Sequence, residues 1–328
     1  MQPPHVERKN SLTENLTLRK VSPEGPRKGL IAVEPENWRR NALVKAVELG
    51  GAKVCNTKEA SALIWASPEK PELISDYIAD NHDWVQLPFA GIVPFVEMLD
   101  YQRLWTCGKG VYSPAVAEHA LGMMLALKRN LVEYAQSTQW SRGIGNNMYG
   151  AKVTILGGGG IAEDIIPLLK PFECEITVIR KTTIPLSGAS QTLQLKDLGT
   201  VLPTTDVLLI ALALTEETEN LIGESELGLL PKNAIIVNVA RGKHIVTEDL
   251  VESLRNREIL GAALDVTEPE PLPLGHPLWD LSNCLITPHT ANTPEMGIKL
   301  LSSRVTENVS RYIQGFELIG CIDVDSGY

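Results

Sequence analysis

The chain lacks any apolar run near the roughly 20 residues that a membrane-spanning helix needs, so no membrane-embedded role is expected. Positive charge is also short: the formal net charge is −10. General binding to nucleic acid or to an anionic membrane is therefore not expected. An anionic substrate would have to be held by local basic groups. Cysteine is sparse and scattered, with Cys55, Cys107, Cys174, Cys284 and Cys321 forming no C-x-x-C. An odd number without metal-ligand spacing fits a reducing cytoplasm and buried thiols. The histidines likewise show no metal-ligand spacing, and no P-loop or nucleophile elbow is present. Residues 1–28 show no signal-peptide pattern, and Glu7, Glu14 and Glu24 argue against a transit peptide. They read as a tail on a cytoplasmic protein.

What is present is length and alternation. A chain of 328 residues can build two domains, each with its own core. Its 44% apolar and 21% charged residues are those of an ordinary globular protein. Apolar runs at 30–33, 63–66 and 84–87 read as strands, with helices over 38–49 and in the polar stretch up to 81. A helix over 115–129 starts behind Pro114, at a position where a missing N–H costs nothing. Its small apolar residues suit a domain or subunit interface. Six more runs follow at 153–156, 176–179, 207–212, 235–239, 262–266 and 284–286. They are short, rich in β-branched residues and mostly separated by helical stretches, the pattern of a doubly wound parallel sheet. A last helix over 294–314 is expected to return to the first domain. The expected fold is thus α/β with two domains. One is a Rossmann-type dinucleotide-binding domain over 114–294. The other is a smaller, discontinuous, flavodoxin-like substrate domain over 29–113 and 295–328, behind the tail.

Between the run at 153–156 and the next helix lies Gly157-Gly158-Gly159-Gly160-Ile161-Ala162. This is G-x-G-x-x-A in its expected strand–turn–helix setting. Gly157 allows the tight turn, Gly159 lets backbone approach a pyrophosphate, and Ala162 lets the helix pack on the strand. The next run ends in Arg180-Lys181-Thr182, where a ribose-binding Asp or Glu is expected. Arginine there suits a 2′-phosphate, so NADP is the expected cofactor, with NAD as the alternative.

Three chemically suited side chains follow successive runs: Arg241, Glu270 and His289. Ligands of open α/β sheets sit outside the carboxyl ends of the strands, where these three should meet. A guanidinium clamps a carboxylate with two hydrogen bonds. An imidazole exchanges a proton with a carbonyl or alcohol oxygen near neutral pH, and an adjacent carboxylate orients it. Together they point to reversible hydride transfer on a 2-oxo or 2-hydroxy acid. Taken singly, each could be an ordinary loop residue.

With these motifs in this order, the chain resembles the D-isomer-specific 2-hydroxyacid dehydrogenases, among them glyoxylate/hydroxypyruvate reductases, over roughly residues 84–311. Further matching segments are Val116-Ala117-Glu118-His119, Leu214-Thr215-Glu216-Glu217-Thr218, Asn238-Val239-Ala240-Arg241-Gly242 and Thr287-Pro288-His289. The resemblance implies that His289 is the acid/base, Glu270 its partner and Arg241 the substrate clamp. It implies a substrate-carboxylate loop at Ala90-Gly91-Ile92. It also implies cofactor contacts at Gly160, Ile161, Ala213, Thr218, Val239, Ala240 and Asp265, and a homodimer built through the cofactor domain. The chain departs from the family pattern at Arg180, Ala213, Phe89 and Thr290-Ala291-Asn292. The other reading is a protein on this fold that senses NAD(P)(H), such as a corepressor acting through its surface.

Overall fold

The structure, a computed structural model, describes residues 27–140 and 143–324. The expected tail, apart from its last two residues, and the final four residues lie outside that range. The chain divides by contact into two units. The described residues of the smaller are 27–88, Ile92–Cys107 and 305–324. The larger comprises Phe89–Gly91 and Gly108–Arg304. Set against the boundaries read from sequence, the division falls at 107/108 and 304/305, and the loop residues 89–91 group with the larger unit.

The smaller unit holds β1 (Leu30–Glu34), α1 (Arg40–Leu49), β2 (Lys53–Val54), β3 (Ala62–Trp65), β4 (Trp84–Gln86) and β5 (Leu104–Thr106). All neighbours pair in parallel, in the order β2-β1-β3-β4-β5, the flavodoxin-like order. Between β3 and β4 only a 3-10 turn forms, Pro71–Asp76, where a longer helix was expected. Of those six residues only Ile74 is buried, so no apolar stripe exists to extend a helix.

The larger unit opens with α2 (Ser113–Lys128) and α3 (Leu131–Gln136). It continues as β6 (Lys152–Leu156), α4 (Gly160–Leu169), β7 (Glu175–Ile179), β8 (Gln191–Leu193) and α5 (Leu198–Val201). Then come β9 (Val207–Ile210), α6 (Glu224–Leu229), β10 (Ile235–Asn238), α7 (Thr247–Arg255), β11 (Gly261–Leu264) and β12 (Cys284–Ile286). The last helix, α8 (Pro294–Gln314), is divided between the units at Arg304. The seven strands run parallel in the order β12-β11-β10-β9-β6-β7-β8. That is the Rossmann order with one strand added beyond β11.

Alternate residues of each strand feed two separate cores. Leu156, Leu208, Ile210, Ile236 and Leu264 pack with Leu250 and Leu254 of α7. Val153, Ile155, Val178, Leu209 and Val237 pack with Ala117, Met123 and Met124 of α2 and Ile165 of α4. Burial on both faces explains the near-continuous apolar runs. Among the described residues no helix is long and apolar enough to cross a membrane. All five cysteines are free, and burial pushes the Cys284 thiol up to about 12. A thiol so placed is inert.

Candidate active site

The glycine turn is dictated sterically. Gly157 has φ +112°, and a Cβ there would lie 2.4 Å from the Ala211 carbonyl oxygen. At Gly159 a Cβ would meet nothing within 4 Å. Backbone therefore faces open space there, at the start of α4, whose first N–H groups have no partner within the helix. That opening is what a pyrophosphate needs, so these residues fit a dinucleotide. Ala162 is 1% exposed and packs into the core beneath.

Arg180 follows β7 directly. A Cβ added to Gly158 would come within 2.7 Å of its Cδ and 2.8 Å of its Nε. The guanidinium stem therefore lies across the glycine turn. Lys181 and Thr182 are exposed, and Gln194 donates to the Lys181 carbonyl at 3.0 Å.

The chain was expected to stay in a strand as far as Leu212, but β9 ends at Ile210. Thr218 Oγ1 donates to the Ala213 carbonyl and accepts from Thr215 N–H, both at 2.8 Å. That hydroxyl thus shapes its own loop, while Ala213 is exposed.

Arg241, Glu270 and His289 follow β10, β11 and β12, which are adjacent in the sheet. His289 Nδ1 and Glu270 Oε1 are 2.7 Å apart, and both side chains are about half exposed. Arg241 is exposed and uses one N–H on its own Ala240 carbonyl at 2.6 Å. Its other donors point elsewhere, and Nη2 would lie 3.5 Å from a Cβ built on Gly91. Gly91 thus lies beside the guanidinium, whereas Ile92 belongs to the smaller unit. Val239 and Ala240 are buried, with Ala240 N–H donating to Asn238 Oδ1 at 3.0 Å.

Two local devices fix these side chains. A Cβ on Gly242 would lie 2.0 Å from the Thr267 carbonyl carbon and oxygen and 2.5 Å from Glu268 N. Only glycine lets the Arg241 turn lie against the strand exit that leads to Glu270. His289 has φ +54°, a left-handed conformation that costs a non-glycine residue of order 1–3 kcal/mol. Asp265 holds it there. The Asp265 carbonyl accepts from His289 N–H at 2.8 Å. Its carboxylate accepts from Thr287 Oγ1 at 2.6 Å, Thr290 N at 2.8 Å and Ala291 N at 3.1 Å.

Three residues in this arrangement were given no role from the sequence. Thr287 and His119, 3.1 Å apart, belong to the Asp265 hub; His119 had read as part of an interface helix. His244 is fully buried beside the loop after β9. Thr287 and His119 lie in matching segments, but their roles could not be read locally because their partners are remote in the chain. Asn292, where the family pattern has a small turn, tucks its amide 2.8 Å from a Cβ built on Gly297. Its Oδ1 is buried without a hydrogen-bond partner.

Residues 121–291 match the family model described as "D-isomer specific 2-hydroxyacid dehydrogenase, NAD binding domain". An uncharacterized protein in the proB 3′ region of Corynebacterium melassecola is 35% identical over 306 residues, which is 90% of this chain and 98% of that one. The glyoxylate reductase of Aeropyrum pernix is 35% identical over 221 residues, 63% of this chain. The match spans 65% of that reductase's length. Among solved structures, a D-isomer specific 2-hydroxyacid dehydrogenase family protein from Aeromonas salmonicida superposes with a TM-score of 0.76 at 28% identity. That superposition covers 90% of this chain and 99% of the other.

Proposed function

The chain belongs to the D-isomer specific 2-hydroxyacid dehydrogenase family, and from that premise we propose that it reduces a small 2-oxo acid of the glyoxylate or hydroxypyruvate kind to the 2-hydroxy acid, with NADPH as reductant. The observation that carries this reading is the 2.7 Å His289–Glu270 pair, with Arg241, Glu270 and His289 each following one of three adjacent strands. A protein that only senses a nucleotide has no need of such a pair.

When bound, the nicotinamide supplies the hydride. The α4 N-terminus at Gly159, Gly160 and Ile161 would hold the pyrophosphate, and Arg180 would take the 2′-phosphate. Arg241 has N–H donors left after its bond to Ala240. Those donors hold the substrate carboxylate and polarise the C2 carbonyl, with the Ala90–Gly91 backbone completing the grip. The proton moves at His289. Nδ1 is committed to Glu270, so Nε2 is the nitrogen that faces the substrate and gives its proton to the developing alkoxide. Glu270 orients the ring and offsets the charge of the imidazolium. In the reverse direction Nε2 accepts the alcohol proton.

The exposed side of α2 carries Gly122, with Leu121, Leu125 and Ala126 half-buried. Together with the exposed Trp140 it forms the surface on which two cofactor domains would pair as a homodimer. A screen of 2-oxo acids, following oxidation of NADPH and NADH, tests the reaction. His289→Ala should lower kcat on the best substrate about 10²–10⁴-fold while cofactor affinity stays near the parent value. Turnover within about tenfold of the parent would remove His289 from the chemistry.

A further inference from the structure

Between the proposed cofactor loop and the substrate clamp sits a buried imidazole that the reaction does not use. His244 is 0% exposed. It closes a short 3-10 turn, Gly242–His244, that starts directly after Arg241. Its Nδ1 lies 2.8 Å from the Thr218 carbonyl and its Nε2 lies 3.2 Å from the Leu212 carbonyl. Those two carbonyls bracket part of the loop between β9 and α6. Residues 213–217 of that loop are all exposed. One ring therefore pins both ends of a segment that has little burial of its own.

The backbone around the ring ties the same two loops. Asn220 N–H donates to the Lys243 carbonyl at 2.7 Å and Ile222 N–H to the His244 carbonyl at 3.0 Å. Val246 N–H returns to the Ile222 carbonyl at 2.9 Å, closing an isolated parallel bridge between Ile222 and Ile245. On the clamp side, His244 N–H donates to the Arg241 carbonyl at 3.3 Å, and Asn238 Nδ2 donates to the same oxygen at 2.9 Å.

A leucine or methionine would fill this space equally well if only packing were needed. It would leave both carbonyl oxygens without the ring nitrogens they face, and polar groups withdrawn from water are almost always paired. A singly protonated ring donates to one of the two carbonyls, whereas a doubly protonated ring donates to both. The choice of histidine thus concerns the carbonyls of loop 212–218 rather than the core.

We infer that His244 is a positioning residue that couples the cofactor loop at 212–218 to the Arg241 clamp, so that ordering of one by its ligand orders the other. The inference rests on the proposed binding of a nicotinamide dinucleotide and a 2-oxo acid to these loops. Coupling of this kind is an energetic link between two sites and acts in both directions.

The test uses His244→Leu, which removes both ring nitrogens, and His244→Gln, whose amide has two N–H groups to offer. Cofactor affinity is read without turnover, by quenching of protein fluorescence with NADPH. His244→Leu should weaken NADPH binding at least about tenfold and raise KM for the 2-oxo acid more than it lowers kcat, with His244→Gln within about threefold of the parent. A folded His244→Leu protein whose NADPH affinity and KM both stay within about threefold of the parent overturns the inference. Should that variant not fold, amide hydrogen exchange on the parent decides. NADPH alone should slow exchange in residues 212–218 and 241–246 together, and protection of the first segment without the second overturns the coupling. The affinity and exchange measurements need no substrate, so failure of the 2-oxo acid reading and failure of this one are told apart.

Discussion

Replacing Gly242 by alanine should damage the site through two loops at once. The added Cβ would lie 2.0 Å from the Thr267 carbonyl group and 2.5 Å from Glu268 N. Ordinary contact begins at 3.4 Å, so the Arg241 turn and the Thr267–Glu268 backbone must part by about 1.4 Å. Both obstacles are backbone, which cannot swing aside as a side chain would. Overpacking of this kind costs about 1–3 kcal/mol, which lowers Tm by roughly 2–12 °C for a unit of this size. The functional effect should be larger than the thermal one. The parting separates the residue that holds the substrate from the segment that carries Glu270. A misplacement of about 1 Å at a reacting centre can cost about 100-fold. We expect kcat/KM to fall about 100-fold or more while NADPH affinity changes little. Gly159→Ala is the matched contrast. Its Cβ meets nothing in the protein, so Tm should hold, but it occupies the opening at the α4 N-terminus and should weaken NADPH binding. Melting curves, fluorescence titration and steady-state kinetics on both variants separate the effects. If Gly242→Ala keeps its parent Tm and kcat/KM within about threefold, the loops can move apart freely and the reasoning fails.

Arg180→Asp should shift the NADPH/NADH ratio of kcat/KM at least about tenfold toward NADH, about 1.4 kcal/mol of differential binding, mainly through KM. An unchanged ratio would mean that Arg180 leaves the glycine turn when cofactor binds. The smaller unit should lose stability in mild acid because of His82. This ring is 2% exposed, accepts from Ala79 N–H at 3.2 Å and donates to the Thr57 carbonyl at 2.9 Å. Burial, with Arg103 adding to it and the Thr57 bond opposing, holds its pKa below the ordinary 6.5. The unfolded chain then takes up the proton at higher pH than the folded chain. Stability is full above about 6.5 and declines as pH falls toward the folded value. His82→Gln should flatten the Tm–pH curve in that window; a parent curve that is already flat there would contradict the assignment. Light scattering at micromolar concentration should give twice the 35.9 kDa chain mass, and a monomer would exclude pairing through α2.

The strands most easily read from sequence were those buried on both faces. β6, β7, β9, β10 and β11 are apolar runs because helices cover both sides of the sheet. The helix expected over 294–314 is the helix observed. β2, β5 and β8 passed unnoticed. Each spans two or three residues at a sheet edge, too short for any periodic pattern. The expected strands at 207–212, 235–239 and 262–266 all overran. The apolar run continues, but the chain leaves the ladder once its backbone is needed elsewhere. The Ala211 carbonyl meets Gly157, and the Leu212 carbonyl meets His244. A hydrophobic pattern records burial, and burial does not stop where strand pairing stops.

The same distinction separates the parts of the site that were legible from those that were not. Arg241, Glu270 and His289 stand out because each is a polar residue placed just past an apolar run. Such a position has no packing explanation and invites a chemical one. Asp265, Thr287, His119 and His244 are polar groups tied mainly to one another or to remote backbone. Asp265 and Thr287 are separated by 22 positions, and His119 and Thr287 by 168. Even where such a residue falls in a matching segment, nothing local tells which remote group it bonds. The resemblance implied a cofactor contact at Asp265; in the structure it is 2% exposed and bonds the turn that holds His289. The left-handed backbone at His289 explains why so many donors converge there. A strained conformation persists only where surrounding bonds over-determine it. Three N–H groups and a hydroxyl on one aspartate do so here. The group that moves the proton is thereby fixed through its backbone by one acidic residue, Asp265, and through its ring by another, Glu270.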